Sequence, residues 1–337
     1  MIQTSEYCAV GHPDRTCDYI ASYLLDRWLE KDPVARVALE VQLKDYHCTV
    51  SGEVSSSWRF TTGEIAEMYR KAVKKIGYTD GYQLTCGEDH CISGDDLEVA
   101  VHISQQSADI SRGVDADGWG DQGIFWGLAV DSPETGNLPV DYWLAREIAI
   151  QLVGRELCGL DVKTQVTLDG DSIVECIVAA PLPPGVKEDG VLRCVREYVG
   201  PDCRIVVNGT GRYVTHGSVG DCGTTGRKLV ADFYGGNCRI GGGSPWGKDP
   251  TKADVALNIL ARLKALEYMK AHKLDWVQCA ISCCIGRREI RVSYFDRGNN
   301  LLETGTEDAP ASHVIETLGL RQPRYADRCA TGLFGFE

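Results

Sequence analysis

The sequence predicts a mixed α/β protein made of several similar-sized layers, and three observations carry that expectation. Apolar residues recur at helical spacing in some windows and alternate or run continuously in others, so helices and strands interleave along the whole chain. Each third of the sequence combines two helical patterns with several strand patterns, which argues for α/β layers of comparable size. The chain has 337 residues, 43% hydrophobic and 25% charged, an ordinary globular composition with room for two or three compact units.

The elements follow in order. Asp14 is placed to cap a helix running to Glu30, with Ile20, Leu24, Leu25 and Trp28 on one face. VARVALEVQL (34–43) and residues 47–54 read as consecutive strands. Thr62 precedes a second helix, GEIAEMYRKAVKKIG, that ends at Gly77. LEVAVHIS (97–104) is a strand, and a polar, glycine-containing loop spans 105–120. The middle third opens with the strand GIFWGLAV and a helix over 140–157. TQVTLDGDSIVECIVAA (164–180) is a hairpin with Asp169 and Gly170 supplying the turn. A helix over 188–198 and the strand RIVV follow, and then a glycine-rich region over 208–247. A strong helix over 251–272 and the strands VQCAISCCI and EIRVSY occupy the last third.

Charge and patterning exclude several function classes. The formal net charge of −13 argues against general affinity for nucleic acid or anionic membrane. No apolar run approaches a membrane span, 124–130 being only strand-sized. The opening MIQTSEYCAVGHPD lacks a basic stretch followed by an apolar one, so the expectation is a soluble cytoplasmic protein. The fifteen cysteines are odd in number, scattered and free of C-x-x-C pairs, and read as reduced thiols. Cys86, His90 and Cys91 stand close together but lack a second ligand pair at zinc spacing, so they read as ordinary side chains. Cys279, Cys283 and Cys284 lie in an apolar stretch and read as small core residues.

The chemistry concentrates between Arg212 and Asp254. These 43 residues hold six basic and four acidic side chains and ten glycines, a local balance of +2 in an acidic protein. Glycine lets backbone N–H groups approach an anion, and Arg212, Arg227, Lys228, Arg239, Lys248 and Lys252 would neutralise it. A flexible solvated loop is the plain alternative, but interleaved single cations and glycine runs favour a polyphosphate site. GGSPWGKD (242–249) matches G-x-x-x-x-G-K, yet Asp249 stands where a P-loop has Ser or Thr, and Pro250 interrupts the expected helix. Asp14, Asp121, Asp161, Asp221 and Asp254 all lie beside glycines, loops or helix starts. Each alone reads as a cap or turn former; together they suit magnesium, which takes one or two carboxylates and fills its shell with phosphate and water. His12, between glycine and proline, occupies a fixed turn.

These stretches resemble the S-adenosylmethionine synthetase (methionine adenosyltransferase) family. The matching runs are GHPDRTCDYI (11–20), GDQGIFWG (120–127), GDCGTTGRKLVADFYGG (220–236) and GGGSPWGKDPTKAD (241–254), with SGEV (51–54), SQQSADI (104–110) and NGTGRYV (208–214) in the expected order. The resemblance implies three similar α/β units around a pseudo-threefold axis, cut here as 1–103, a loop at 104–120, 121–211 and 212–337. It also implies homodimers, possible tetramers, and active sites between subunits. Carried over by position, His12 lies beside the triphosphate, Asp14 and Asp254 hold magnesium, and Glu40 holds potassium. Glu53, Gln106, Asp121, Asp221 and Lys252 contact methionine. Asp161, Lys163, Arg212, Tyr213, Asp221, Arg227, Lys228, Ser244 and Lys248 contact ATP, with His12, Lys163, Arg227, Lys228 and Lys248 as the catalytic group. The reaction implied joins the methionine sulfur to C5′ of ATP and then hydrolyses the triphosphate. A non-catalytic regulatory relative and a triphosphate hydrolase are the alternatives.

The chain departs from the family pattern at Val10, usually glutamate, and at Arg15, usually lysine. Its loop between Gln106 and Gly120 is shorter than usual, and the region after Thr306 is abbreviated to LRQPRYAD and GLFGF.

Overall fold

Each recognisable hairpin becomes the centre of a four-stranded sheet. The computed structural model describes residues 2–106 and 117–335, and within them three such sheets form. The hairpins are β2 (Arg36–Lys44) with β3 (His47–Ser55), β6 (Lys163–Asp169) with β7 (Ser172–Ala179), and β10 (Trp276–Cys283) with β11 (Glu289–Phe295). Alternating burial along β2 and β6 follows from the period of two that puts one face on the core. The Gly170–Asp171 turn leaves Asp169 paired with Ser172.

Each hairpin then gains two flanking strands in the same layout. On the second hairpin strand sit β4 (Glu98–Ser104), parallel to β3, β8 (Arg204–Val207), parallel to β7, and β12 (Leu301–Asp308), antiparallel to β11. On the first hairpin strand sits one borrowed from another part of the chain. β9 (Gly223–Thr224) pairs with β2, β1 (Ile2–Cys8) with β6, and β5 (Gly123–Val130) with β10, all antiparallel. The sheets therefore do not follow the boundaries 1–103, 121–211 and 212–337: each is completed by a strand from a different third. The physical reason is edge satisfaction, since a borrowed strand caps one row of hydrogen-bonding groups on each hairpin and ties the layers together.

Helices cover one face of each sheet. α1 (Pro13–Lys31) and α2 (Thr62–Ile76) cover the first, and α3 (Val140–Gly154) and α4 (Glu188–Val199) the second. α5 (Ala253–His272) covers the third, so close to β5 that a Cβ on Gly127 would overlap the backbone of Ala261. Helix starts differ in detail from the sequence reading. The cap of α1 is His12, with Pro13 in the first turn, so Asp14 sits inside the helix. α2 has a reciprocal capping box between Thr61 and Glu64. α3 ends at Gly154, short of Leu157, and α5 begins at Ala253, after Pro250 has broken the chain direction. Short helices at Asp80–Cys86, Ala311–Thr317 and Tyr325–Thr331 were not expected. Cys279 is buried as expected, but Cys283 is only half-buried and Cys284 exposed, because the strand emerges from the core there.

α1 lies at the middle of the molecule and is buried nearly all round, including Asp14, Arg15, Asp18 and Asp26. Burying charge demands partners. Arg15 pairs with Asp232 at 2.6 Å and Asp18 at 3.3 Å, donates to the Cys329 carbonyl at 2.6 Å and stacks on Trp246. Trp246 Nε1 donates to the other Asp232 oxygen at 2.8 Å. Arg15 is therefore no part of a solvent-facing cationic cradle; it joins α1 to the glycine-rich region and to the C-terminal segment. Asp26 does the same further along by accepting from the backbone of Tyr325 and Ala326.

Candidate active site

The glycine-rich region is held against the free side of β2 as two extended clips. Thr225 N donates to the Val41 carbonyl at 3.0 Å while Val41 N donates to Thr225 Oγ1 at 2.8 Å. Leu39 N donates to the Gly247 carbonyl, Asp249 N to the Val37 carbonyl, and Val37 N to Asp249 Oδ2 at 2.7 Å. Asp249 is fully buried in this role, so 242–249 is a β2 clip rather than a strand-to-helix phosphate loop. The first clip carries Arg227 and Lys228, and the second carries Lys248 opposite Ala38.

The first clip meets the start of α1. His12 Nδ1 accepts from Asp14 N at 3.3 Å, capping the helix. The fully buried Asp14 carboxylate accepts from Thr224 N at 2.9 Å and from Lys228 Nζ at 2.5 Å, with Arg227 Nε at 3.7 Å. Lys163, from the start of β6, pairs with Glu6 of β1 at 3.0 Å. Glu6, Lys163, Arg227 and Lys228 line one open pocket of about 290 Å³. Three cations thus face a cavity in which the nearest acids are already neutralised.

Asp161 joins this group from behind. Its Oδ2 accepts from Gly217 N at 2.8 Å, and its charge, after burial, holds the Tyr213 hydroxyl well above its usual range. Asp221 acts on the same phenol more weakly. Burial pushes the His12 imidazole below its ordinary 6.5, with Asp161 opposing the shift and Lys228 adding to it. His12 is therefore a neutral imidazole at neutral pH.

The second clip carries the other acid. Lys248 Nζ and Asp254 Oδ2 stand 2.6 Å apart. Ser244, whose Oγ accepts from Trp246 N, packs against Gly226 and so connects the two clips. Lys248 bridges to Ala38 of β2, on the sheet face that also carries Glu40 and Glu53 by alternation. Desolvation pushes the Glu40 carboxyl up, and Lys248 pulls it down.

Residues 1–108 match the family model described as S-adenosylmethionine synthetase, N-terminal domain, and residues 215–337 match its C-terminal domain. An S-adenosylmethionine synthase of Sorangium cellulosum is 35% identical over 371 aligned positions, covering 98% of this chain and 85% of the relative. The chain belongs to the S-adenosylmethionine synthetase family. A synthase of Wolinella succinogenes is 34% identical, with 99% and 92% of the two chains covered. A solved structure, described as an unusual S-adenosylmethionine synthetase from Campylobacter jejuni, superposes with a TM-score of 0.88 at 28% identity, covering 99% of this chain and 94% of that one. The aligned span of 371 positions exceeds the 337 residues here, so the Sorangium relative of this synthetase-family chain carries segments that it lacks. Of the loop expected to be short, between Gln106 and Gly120, residues 107–116 lie outside the described residues.

Within this synthetase-family chain, the other residues expected at the site stand apart from the His12–Asp14–Lys228 group. None of Glu53, Gln106, Asp121, Arg212 and Lys252 makes a hydrogen bond or ion pair with it among the described residues. Glu53 pairs with Ser104 across β3 and β4. Gln106 is buried, and its Oε1 has no hydrogen-bond partner, an unmet acceptor that suits a ligand N–H. Asp121 is exposed beside Cys283, which also feels the charge of Asp254. Arg212 is exposed, and Lys252 holds the position before α5. Sequence reasoning missed Glu6 and Thr224, the direct partners of Lys163 and Asp14. Only the β1–β6 and β2–β9 pairings bring them in, and no local pattern announces those.

Proposed function

We propose that the chain is a methionine adenosyltransferase, converting ATP, L-methionine and water to S-adenosylmethionine, phosphate and diphosphate. The observation that carries this reading is the convergence of Lys163, Arg227 and Lys228 on one pocket beside the neutral imidazole of His12 and the buried carboxylate of Asp14. The methionine thioether is neutral and already nucleophilic, so the sulfur forms its bond to C5′ without a general base as the C5′–oxygen bond breaks. The barrier lies in the negative charge growing on the departing triphosphate. Cations fixed at that point stabilise the transition state more than the ground state. Alignment of sulfur, C5′ and leaving oxygen supplies the rest. Water then attacks the retained triphosphate in the same cationic pocket.

Asp14 and Asp254 offer the hard carboxylate oxygens that magnesium prefers, and each is balanced here by a lysine. They would hold the metal as Lys228 and Lys248 turn to phosphate oxygens, and bound magnesium neutralises charge on those oxygens. Glu40 would be the potassium donor, in competition with Lys248. Asp161, Arg212, Tyr213, Asp221, Ser244 and Lys248 are assigned to ATP, and Glu53, Gln106, Asp121, Asp221 and Lys252 to methionine. The same reading makes the protein a cytoplasmic homodimer, tetramers remaining an option, with sites shared between subunits. Its support is the polar face of the first sheet, where Glu40 is exposed and Ser51 and Glu53 are half-buried in the single chain. No helix among the described residues is long and apolar enough to cross a membrane.

Incubation with ATP, magnesium and methyl-labelled methionine tests the reading. Labelled S-adenosylmethionine that depends on both substrates is expected. Phosphate release without it would leave a triphosphate hydrolase, and neither product would leave a non-catalytic relative.

A further inference from the structure

Apart from the polyphosphate pocket, one group of soft donor atoms is assembled among the described residues. Cys86 Sγ, Cys91 Sγ and a ring nitrogen of His216 all lie within 4.8 Å of one another, and all three residues are buried. We propose that this is a structural soft-metal site for zinc(II), braced directly behind Asp161 and independent of the catalytic reading above.

The chain is arranged to present these atoms. Cys86 ends the short helix Asp80–Cys86, and the chain reverses at Gly87. Gln83 Nε2 donates to the Cys91 carbonyl at 3.1 Å, which fixes the second cysteine against that helix. His216 arrives from across the sequence: its N–H donates to the His90 carbonyl, and His90 Nδ1 lies 2.8 Å from Thr215 Oγ1. His90 itself is thus a supporting residue, not the third ligand its position in the sequence suggested.

The imidazole of His216 is set up as a ligand. Its Nδ1 is 2.6 Å from the Val214 carbonyl oxygen. A carbonyl only accepts, so Nδ1 carries the proton and Nε2 is the acceptor nitrogen of the ring. A metal-bound histidine characteristically has its second nitrogen held in this way. Tyr82 Oη accepts from Leu160 N at 2.9 Å and, 2.7 Å from Nε2, donates its own proton there, a hydrogen bond that an entering metal displaces.

Two thiols and an imidazole are soft and borderline donors, the set that zinc selects, with water completing four-coordination. Zinc bonds of about 2.0–2.3 Å bring such ligand atoms to about 3.3–3.9 Å apart, so small inward rotations of the thiols suffice. Binding releases the two thiol protons to solvent and leaves two thiolates balancing the dication. The consequence reaches the candidate active site through covalent neighbours. Gly217, next to His216, donates to Asp161, while Leu160, next to Asp161, donates to Tyr82. A metal here would brace Asp161 from both sides.

The test uses the full chain, reduced and stripped with a chelator, then titrated anaerobically with cobalt(II). The expected result is one equivalent bound, with thiolate-to-cobalt charge-transfer absorption and the strong visible bands of tetrahedral coordination, both abolished by zinc. Cys91→Ser is expected to weaken binding more than the about 10- to 100-fold typical of losing a supporting partner. Tyr82→Phe, which removes the hydroxyl that occupies Nε2 before the metal enters, does not weaken binding, and Cys284→Ser, exposed and distant in sequence, leaves it unchanged. The wild-type titration needs no variant to fold. Absence of the charge-transfer bands there overturns the site, as does unchanged affinity in Cys91→Ser. A Cys86–Cys91 disulfide recovered by mass spectrometry from chain that binds no cobalt would make the pair a redox couple instead. Because the readout is spectroscopic, an inactive enzyme leaves this result intact.

Discussion

At the scale of single residues, the buried charges decide most. Arg15 serves Asp18, Asp232, the Cys329 carbonyl and the face of Trp246 at once. Arg15→Met removes the cation and leaves two buried carboxylates facing each other, a change that costs about 3–5 kcal/mol when one member of a buried pair is lost. Urea unfolding is expected to show that loss, and a change below about 1 kcal/mol would mean that the network contributes little. His12 gives a second expectation, in pH. Its folded-state pKa lies below the ordinary 6.5 chiefly through burial, so the unfolded chain binds the proton more readily. The associated stability is complete above 6.5 and declines as pH falls from 6.5 toward the folded-state value. A His12→Asn variant, which keeps a capping side chain, should lose less stability than wild type between neutral pH and that lower range; parallel curves would contradict the assignment. The GHPD stretch was legible because residue type and spacing are local there. The partners of its members were not: Asp14 meets Thr224 and Lys228 more than two hundred positions away.

At the scale of elements, glycines in the second clip separate packing from chemistry. A Cβ on Gly241 would overlap the Ile124 carbonyl oxygen, a backbone atom that cannot step aside, whereas one on Gly243 would overlap the Asp254 carboxylate. Gly241→Ala is therefore expected to lose about 1–3 kcal/mol of stability, the usual range for overpacking. Gly243→Ala should keep its stability within about 1 kcal/mol while displacing Asp254 from Lys248, with kcat/KM for synthesis reduced about tenfold or more. Equal effects of the two substitutions on stability and rate would contradict the separation. The hairpins and long helices were readable because their periodicity is local and strong. β1 was not, since IQTSEYC carries little apolar alternation and becomes a strand only by pairing with β6. β12, exposed along its whole length, likewise offers no apolar face to read. The helix capped by His12 was misplaced by two residues because proline in the first turn shifted the cap upstream.

At the scale of the whole molecule, the three borrowed strands mean that no third of the sequence folds into a complete sheet alone, a feature invisible to any pattern within one third. The sheet layout and the cationic pocket are properties of one chain, while Glu53, Gln106 and Asp121 lie away from that pocket. The proposed dimer accounts for them by bringing residues of one subunit to the site of the other. Mixing inactive Asp121→Ala with inactive Lys248→Ala subunits is then expected to restore part of the activity, up to about a quarter of the sites in a random mixture carrying both intact residues. A chain that sediments as an active monomer would contradict the shared site. The central claim, that the cations of this pocket stabilise a departing triphosphate, is tested most directly by a single-turnover quench of the enzyme with γ-phosphate-labelled ATP and methionine. The account predicts that S-adenosylmethionine and enzyme-bound triphosphate appear together in equal amounts, ahead of free phosphate, and that Lys228→Met slows this first step at least about 100-fold. Release of γ-phosphate before any S-adenosylmethionine forms, or an unchanged first step in Lys228→Met, would contradict it.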